Sequence, residues 1–298
     1  MKPLRVSLQP NKLMKRFYSS IIAMSLLALT AHAQERYKVG VSDIMILKRQ
    51  KLGEFQLTKT IGADGVELDM GGMGPRPTFE NTLAVDSVRK QFLDKSKELN
   101  VQISSMAMTG FFAQPFATRE TAVAAVGDCI TTMKQMGVKV AFLPLGVSDP
   151  ATKPEMRAAV VERLKQVGKM AEKEGVVIGI GTSLDAKDQL ALLKDIGSPA
   201  IKSYFNFQDA ADHGRDIPSE LETLGAKNIA MIHCSDTDGV WLQNDPKIDM
   251  KKVKATLDKM GWSGWLVIER SRDVNDVHNV KKNFGANATY VKSVFQGK

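Results

Sequence analysis

Histidine, cysteine and long apolar runs are all scarce in this chain. Four of its 298 residues are histidine and two are cysteine. One histidine lies in the first 33 residues, which leaves His213, His233 and His278 for the rest, too few for a multi-zinc cluster. An exported chain can join its two cysteines, but Cys129 falls within a helical stretch and Cys234 beside a strand end, so two separate buried thiols are expected. The apolar run Ile21 to Leu29 is too short to span a bilayer. No low-complexity tract or linker divides the chain.

Basic charge is also less abundant than it first looks. Residues 1–33 hold Lys2, Arg5, Lys12, Lys15 and Arg16 and no acid, so five of the eight net positive charges lie there and +3 remains for the other residues. A balance that modest gives no reason to expect nucleic acid or an anionic membrane as a partner. Lys15 and Arg16 before the apolar run, then Ala31-His32-Ala33 before Gln34, have the form of a cleavable signal peptide. The expected organisation is a leader over 1–33, cleavage near Ala33, and one periplasmic or secreted domain over 34–298. With no cysteine at the cleavage site, a lipid anchor is not expected.

What is present is regular alternation. Short β-branched runs at Tyr37 to Ser42, Gly65 to Asp69, Val101 to Met106, Lys139 to Leu145, Val176 to Gly181, Ile201 to Asn206, Ile229 to His233 and Leu266 to Arg270 read as eight strands. Between them lie amphipathic stretches such as Lys153 to Glu174 and Asp276 to Val294. Gly137, Gly175 and Gly261 each follow a helical stretch just before a strand, as left-handed helix caps do. Strict alternation over this length predicts an α/β chain folded as a closed (β/α)8 TIM barrel, with a doubly wound open sheet as the alternative. Met70 to Val85, rich in Gly and Pro, reads as a lid or an ordinary insertion.

A barrel gathers its strand-end residues around one mouth. Three strands end in groups able to bind a metal or move a proton: Glu67 in GVEL, His233 in MIH and Glu269 in LVIE. Asp236 is a candidate to orient the His233 ring or to touch substrate. Trp241 offers a ring on which a sugar can stack, and Lys202 is the remaining candidate substrate contact. Asp209 stands three residues beyond the sixth strand and is a candidate replacement acid there. Trp262 and Trp265 are expected to pack the last helix-to-strand turn, and His213 to face solvent.

The segments IGIGTSLDAKDQLALLKDIGSPAIKSYFNFQDA, MIHCSD and PKIDMKKVKATLDKMGWSGWLVIER, with IGADGVELD at Ile61 to Asp69, make the chain resemble the xylose-isomerase-like TIM-barrel family of sugar phosphate isomerases and epimerases. The resemblance implies one divalent cation (Mn, Mg or Zn) held by Glu, Asp, His and Glu after strands five to eight, the two Glu also forming the acid/base pair. His233 and Glu269 fall on the last two positions. Gly181, in GTSL where the family has ENTL, and Asn206, in FNFQD where it has YDVGN, fall on the first two. Two lost anionic ligands are expected to weaken metal binding by at least about 10² to 10⁴, with Asn206 left to offer an amide oxygen. No nucleotide cofactor is implied.

The expected function is an exported sugar isomerase/epimerase-like enzyme acting on free or oxidised sugars. Glu269, with Glu67 as a second carboxylate, would abstract a proton next to a carbonyl to give an enediol or enolate. With one family carboxylate missing, isomerisation or β-elimination by a keto-sugar lyase is expected ahead of two-base epimerisation. The alternative is a periplasmic sugar-binding protein that kept the pocket and lost the metal. The related endonuclease IV-like chemistry is excluded by the scarcity of histidine.

Overall fold

The computed structural model describes residues 36–298. The expected leader and its cleavage point at Ala33 lie outside the described residues. Eight strands form: β1 (Tyr37–Ser42), β2 (Gly65–Asp69), β3 (Gln102–Ala107), β4 (Val140–Pro144), β5 (Val177–Gly181), β6 (Ile201–Asn206), β7 (Ile229–His233) and β8 (Gly264–Ile268). Each pairs in parallel with the next, and β8 returns to β1 through five aligned pairs, Tyr37 with Gly264 to Val41 with Ile268. The sheet is closed, which removes the open-sheet alternative.

Helices alternate with the strands as the apolar periodicity predicts: α1 (Gly53–Ile61), α2 (Asp86–Leu99), α3 (Ala122–Met136), α4 (Arg157–Glu174), α5 (Ala186–Ile196), α6 (Phe207–Asp212), α7 (Ile217–Leu224), α8 (Met250–Met260) and α9 (Val280–Phe295). Gly137, Gly175 and Gly261 take positive φ at the ends of α3, α4 and α8. Inside the barrel, Ala107, Phe142, Tyr204, Met231 and Val267 form a plug, and two larger apolar clusters fill the space between sheet and helices. The interior is therefore solid below the mouth, and any ligand must bind above the plug. Cys129 and Cys234 are free and buried, and burial pushes both thiols up.

The segment 70–85 is a packed insertion. Met70, Met73, Phe79 and Leu83 are buried in the core, and Glu80 N–H donates to the Gly72 carbonyl at 2.7 Å. Gly71, at φ +93°, is required there, because a Cβ would lie 2.2 Å from the Glu80 carbonyl oxygen. None of these residues lines the cleft at the mouth, and the segment packs as an insertion on the core.

Candidate active site

Parallel register sets the site residues at one level. Glu67 is aligned with Ser105 and Asn206 with His233; the last two end their strands, and Glu67 and Ser105 lie two residues before the ends of theirs. At this level every side chain pointing inward meets its counterparts across the barrel.

The centre is His233, fully buried between two carboxylates. Its Nε2 lies 3.1 Å from Glu67 Oε1, and its Nδ1 lies 3.0 Å from Glu269 Oε2. The first contact is a hydrogen bond; the second is close but out of line for one, so Nδ1 has no aligned partner. Phe142 and Tyr204 enclose the ring, with centroids 4.6 and 4.4 Å away. Burial works to lower the imidazole pKa, but Glu269 and then Glu67 outweigh it and raise it to about 10.

Glu67 is more deeply fixed than a strand-end charge in water would be. Its Oε2 accepts from Ser105 Oγ at 2.7 Å and from Tyr204 Oη at 2.6 Å. Burial works to raise its pKa, yet the His233 charge and these donors hold it below the usual carboxylate value. Tyr204 is pushed well up, by burial first and then by Glu67. Glu67 therefore acts as the buried anchor of the ring, with all its acceptor oxygens engaged. Glu269 differs, being partly exposed on the wall of a cleft of about 390 Å³. That volume suits a small molecule of sugar size.

Glu269 lies one residue beyond β8, because the strand ends at Ile268 and not at Arg270 as the sequence suggests. The turn is held by Ser235 Oγ, which accepts from the N–H groups of both Glu269 and Arg270 at 3.0 Å. Arg270 also lines the cleft, and its guanidinium makes no hydrogen bond or ion pair among the described residues.

Asn206 and Gly181 also line the cleft, and both show why the site departs from the expected ligand set. Asn206 Oδ1 accepts from Gln208 N–H at 3.0 Å and so caps α6. A Cβ on Gly181 would lie 2.6 Å from Phe142 Cε2, so the aromatic ring occupies the room a longer side chain would need. The absence of a carboxylate at 181 is thus built into the packing.

Three expected substrate contacts lie elsewhere. Trp241 Nε1 donates to Asn283 Oδ1 at 2.8 Å, and its ring lies under Lys282 outside the cleft lining. Lys202 is the second residue of β6 and faces a groove with Lys194 and Lys227 at the opposite end of the barrel. Asp236 neither orients His233 nor reaches the cleft; it pairs with Lys247 at 2.9 Å and accepts from Thr237 N–H. For Asp236 the reason is that Glu67 and Glu269 already flank the two ring nitrogens of His233.

Several cleft residues had no counterpart in the sequence reading. Phe112, half-exposed, and Thr109 come from the loop after β3, and Asp149 from the loop after β4. Loop residues carry no periodic signal that fixes their direction. Tyr204 was legible in principle, since two-residue alternation puts it on the same face of β6 as Asn206.

Glu67, His233 and Glu269 each offer a ligand atom within 4.8 Å of the others, a donor set able to hold a metal ion. The unpartnered Nδ1 and the Glu269 oxygen, 3.0 Å apart, match two ligands on one ion about 2.1 Å from each. Glu67, on the other ring nitrogen, stands where a carboxylate orients a ligating histidine. The residues present fit a divalent ion held by His233 and Glu269, with Gly181 and Asn206 adding no anion.

The family model described as xylose isomerase-like TIM barrel matches residues 55–293. The chain belongs to this family. Among solved structures, this xylose isomerase-like barrel is similar to the 3-keto-D-glucoside 4-epimerase YcjR from E. coli, at 13% identity and a TM-score of 0.68 over 86% of this chain and 99% of that one. It is also similar to the D-psicose 3-epimerase from Clostridium cellulolyticum, solved with D-tagatose, at 13% identity and a TM-score of 0.68 over 87% and 99%. At such identities the likeness is one of fold. A curated relative, the rhizopine catabolism protein MocC of Rhizobium meliloti, is 24% identical over 163 residues, which span 45% of this chain and about half of that protein.

Proposed function

We propose that this chain is an exported sugar isomerase/epimerase-like enzyme that removes a proton next to a carbonyl of a free or oxidised sugar. The observation that carries this reading is the position of Glu269, partly exposed on the wall of a sugar-sized cleft while His233, anchored by Glu67, holds it from behind. Glu269 takes the proton, and the electron pair moves to the carbonyl oxygen as an enolate or enediolate. Arg270, which lines the same cleft and has an unpaired guanidinium among the described residues, is the cation proposed to meet that oxyanion. The Phe142 and Tyr204 rings seal the floor against water. A divalent ion on His233 and Glu269, when bound, would polarise the carbonyl. Export is supported by the basic and apolar pattern of residues 15–33, and it favours unphosphorylated sugars.

The test is hydrogen exchange of a panel of aldoses, ketoses and keto-sugars in D₂O, with metal content measured on the same protein. Wild type is expected to exchange the α-hydrogen of at least one sugar, and Glu269→Gln to lower that rate by about 10² to 10⁴. A second reading, a sugar-binding protein without catalysis, is favoured by the Phe142 ring filling the space beside Gly181. It predicts no exchange with any sugar and undiminished sugar affinity in Glu269→Gln.

A further inference from the structure

The lining of the cleft divides by how its polar groups are used. Ser183, Asn206, Gln208, Asp209 and Arg270 line it from the strand ends and loops of β5, β6 and β8. The Ser183 hydroxyl, the Asn206 amide nitrogen, the Gln208 amide oxygen, the Asp209 carboxylate and the Arg270 guanidinium make no hydrogen bond or ion pair among the described residues. On the side of β1, β3 and β4, by contrast, every polar side chain of the lining is already engaged within the protein. Thr109 Oγ1 donates to Asp69 and accepts from Arg49 Nη2 at 3.1 Å. Asp149 accepts from the N–H groups of Ala151 and Ser183, and Thr152 Oγ1 donates to the Asp149 carbonyl at 3.3 Å. What remains there for a ligand is Ile44, Met45 and Phe112, together with the buried Phe142 and Pro144. Since the barrel closes in chain order, the apolar side falls within β1 to β4 and the unspent polar groups within β5 to β8.

Phe112 is the clearest feature of the apolar side. It is 51% exposed, and its ring centroid lies 6.0 Å from that of Phe142. Its main chain is fixed by Gly146, at φ +46°, which packs so closely that a Cβ there would lie 2.6 Å from Phe112 Cα. Leu47 and Val147, in the loops after β1 and β4, are exposed as well. A free sugar carries hydroxyl groups around its whole edge. Those turned to this side would lose water without gaining a partner, whereas apolar surface placed there gains by leaving water.

We infer that the cleft takes a sugar bearing an apolar aglycone, aryl or alkyl, with the sugar ring on the β5 to β8 side and the aglycone against Ile44, Met45 and Phe112. This rests on the proposed function and deepens it by naming the substrate class. The aglycone occupies the anomeric oxygen, so no free carbonyl forms at that carbon. The carbonyl next to the departing proton then stands elsewhere on the ring, which selects oxidised glycosides over free sugars. Glu269, on the polar side, keeps its place as the base.

The experiment is calorimetric titration of the full-chain protein with the methyl and the phenyl β-glycosides of glucose, galactose and xylose, which have no ring carbonyl and bind without turnover. For at least one sugar, the phenyl glycoside is expected to bind about tenfold or more tightly than the methyl glycoside. Phe112→Ser is expected to bring that ratio below about threefold, and Phe112→Tyr, which keeps the ring, to preserve it. Equal binding of the two glycosides of every sugar overturns the inference, as does a phenyl preference that survives Phe112→Ser, or no binding of any glycoside. If Phe112→Ser does not fold, the wild-type ratio decides alone. Hydrogen exchange of sugars in D₂O separates this from the proposed function. Exchange without a phenyl preference overturns the inference and leaves the function standing; a phenyl preference without exchange supports the aglycone site and overturns the catalytic reading.

Discussion

Gly181 and Phe142 act as one unit, and that unit explains one of the two carboxylates missing from the expected ligand set. Sequence alone exposed the glycine, because a strand end where a carboxylate was anticipated is conspicuous. It could not expose the partner, because Phe142 lies on β4 in an ordinary apolar run, and only the fold brings its ring within 2.6 Å of a Cβ at 181. Gly181 is not held by an unusual φ, so the constraint is space. Gly181→Ala is therefore expected to destabilise by about 1 to 3 kcal/mol through overpacking. In a Phe142→Ala background the same change should cost nothing, since the obstructing ring is gone. Urea unfolding of the two single variants and the double variant measures this coupling; additive effects would separate the residues. His233, Glu67 and Glu269 were legible in a different way. Each lies within two residues of the C-terminal end of an apolar strand, and the barrel alone determines that such positions converge, whereas Trp241 and Asp236 sit in a loop whose path the strand pattern does not set.

At the scale of elements, the eight strands were readable to within two residues because each is a short β-branched run bounded by polar or glycine signals. The largest shift is at β8, which begins at Gly264 so that Trp265 can pack beside Gly65, and ends early because Ser235 takes the next two N–H groups. The start of α6 was not readable as a cap, and this changes what Asn206 does. Its side-chain oxygen is occupied by the Gln208 N–H, so the helix that carries Asp209 is set by the same residue that would supply the missing strand-six ligand. Aspartate caps helices about as well as asparagine does. Asn206→Asp should thus keep the thermal midpoint while raising divalent-metal affinity by about tenfold or more, as an anionic oxygen joins His233 and Glu269. Asn206→Ala should lose about 1 kcal/mol of stability without any gain in affinity. Calorimetric titration with Mn²⁺ and thermal melts of both variants check the pair, and unchanged affinity in Asn206→Asp would place the metal elsewhere.

For the molecule as a whole, gathering acids at one barrel mouth has a cost that should show in global stability. Asp43 follows β1, fully buried, with one oxygen accepting from Gln50 N–H and the other unpartnered. Burial, then the charge of Asp69, raise its pKa from 3.8 to about 7. Glu54, at the start of α1, is buried with neither oxygen partnered, and burial followed by the charge of Asp43 pushes it well up. Between the unfolded and folded values of Asp43, the folded chain binds more protons than the unfolded one, so its stability falls as pH rises. The contribution is fully present below about pH 4 and is lost as pH rises through about 7, amounting to roughly 4 kcal/mol if the whole shift is realised. His233 acts in the same direction over a higher window: its raised pKa contributes stability below about 6.5 that is lost as pH rises through about 10. Glu67, held low, opposes them only in acid, below the usual carboxylate range. Urea unfolding should therefore give a lower free energy at pH 8 than at pH 5. Asp43→Asn, which keeps an oxygen for Gln50 and removes the titration, should reduce that difference by the Asp43 share, leave the parts due to Glu54 and His233, and be the more stable protein at pH 8. A wild-type stability that rises between pH 5 and 8 would mean that Asp43 is ionised throughout and that a cation neutralises this part of the mouth.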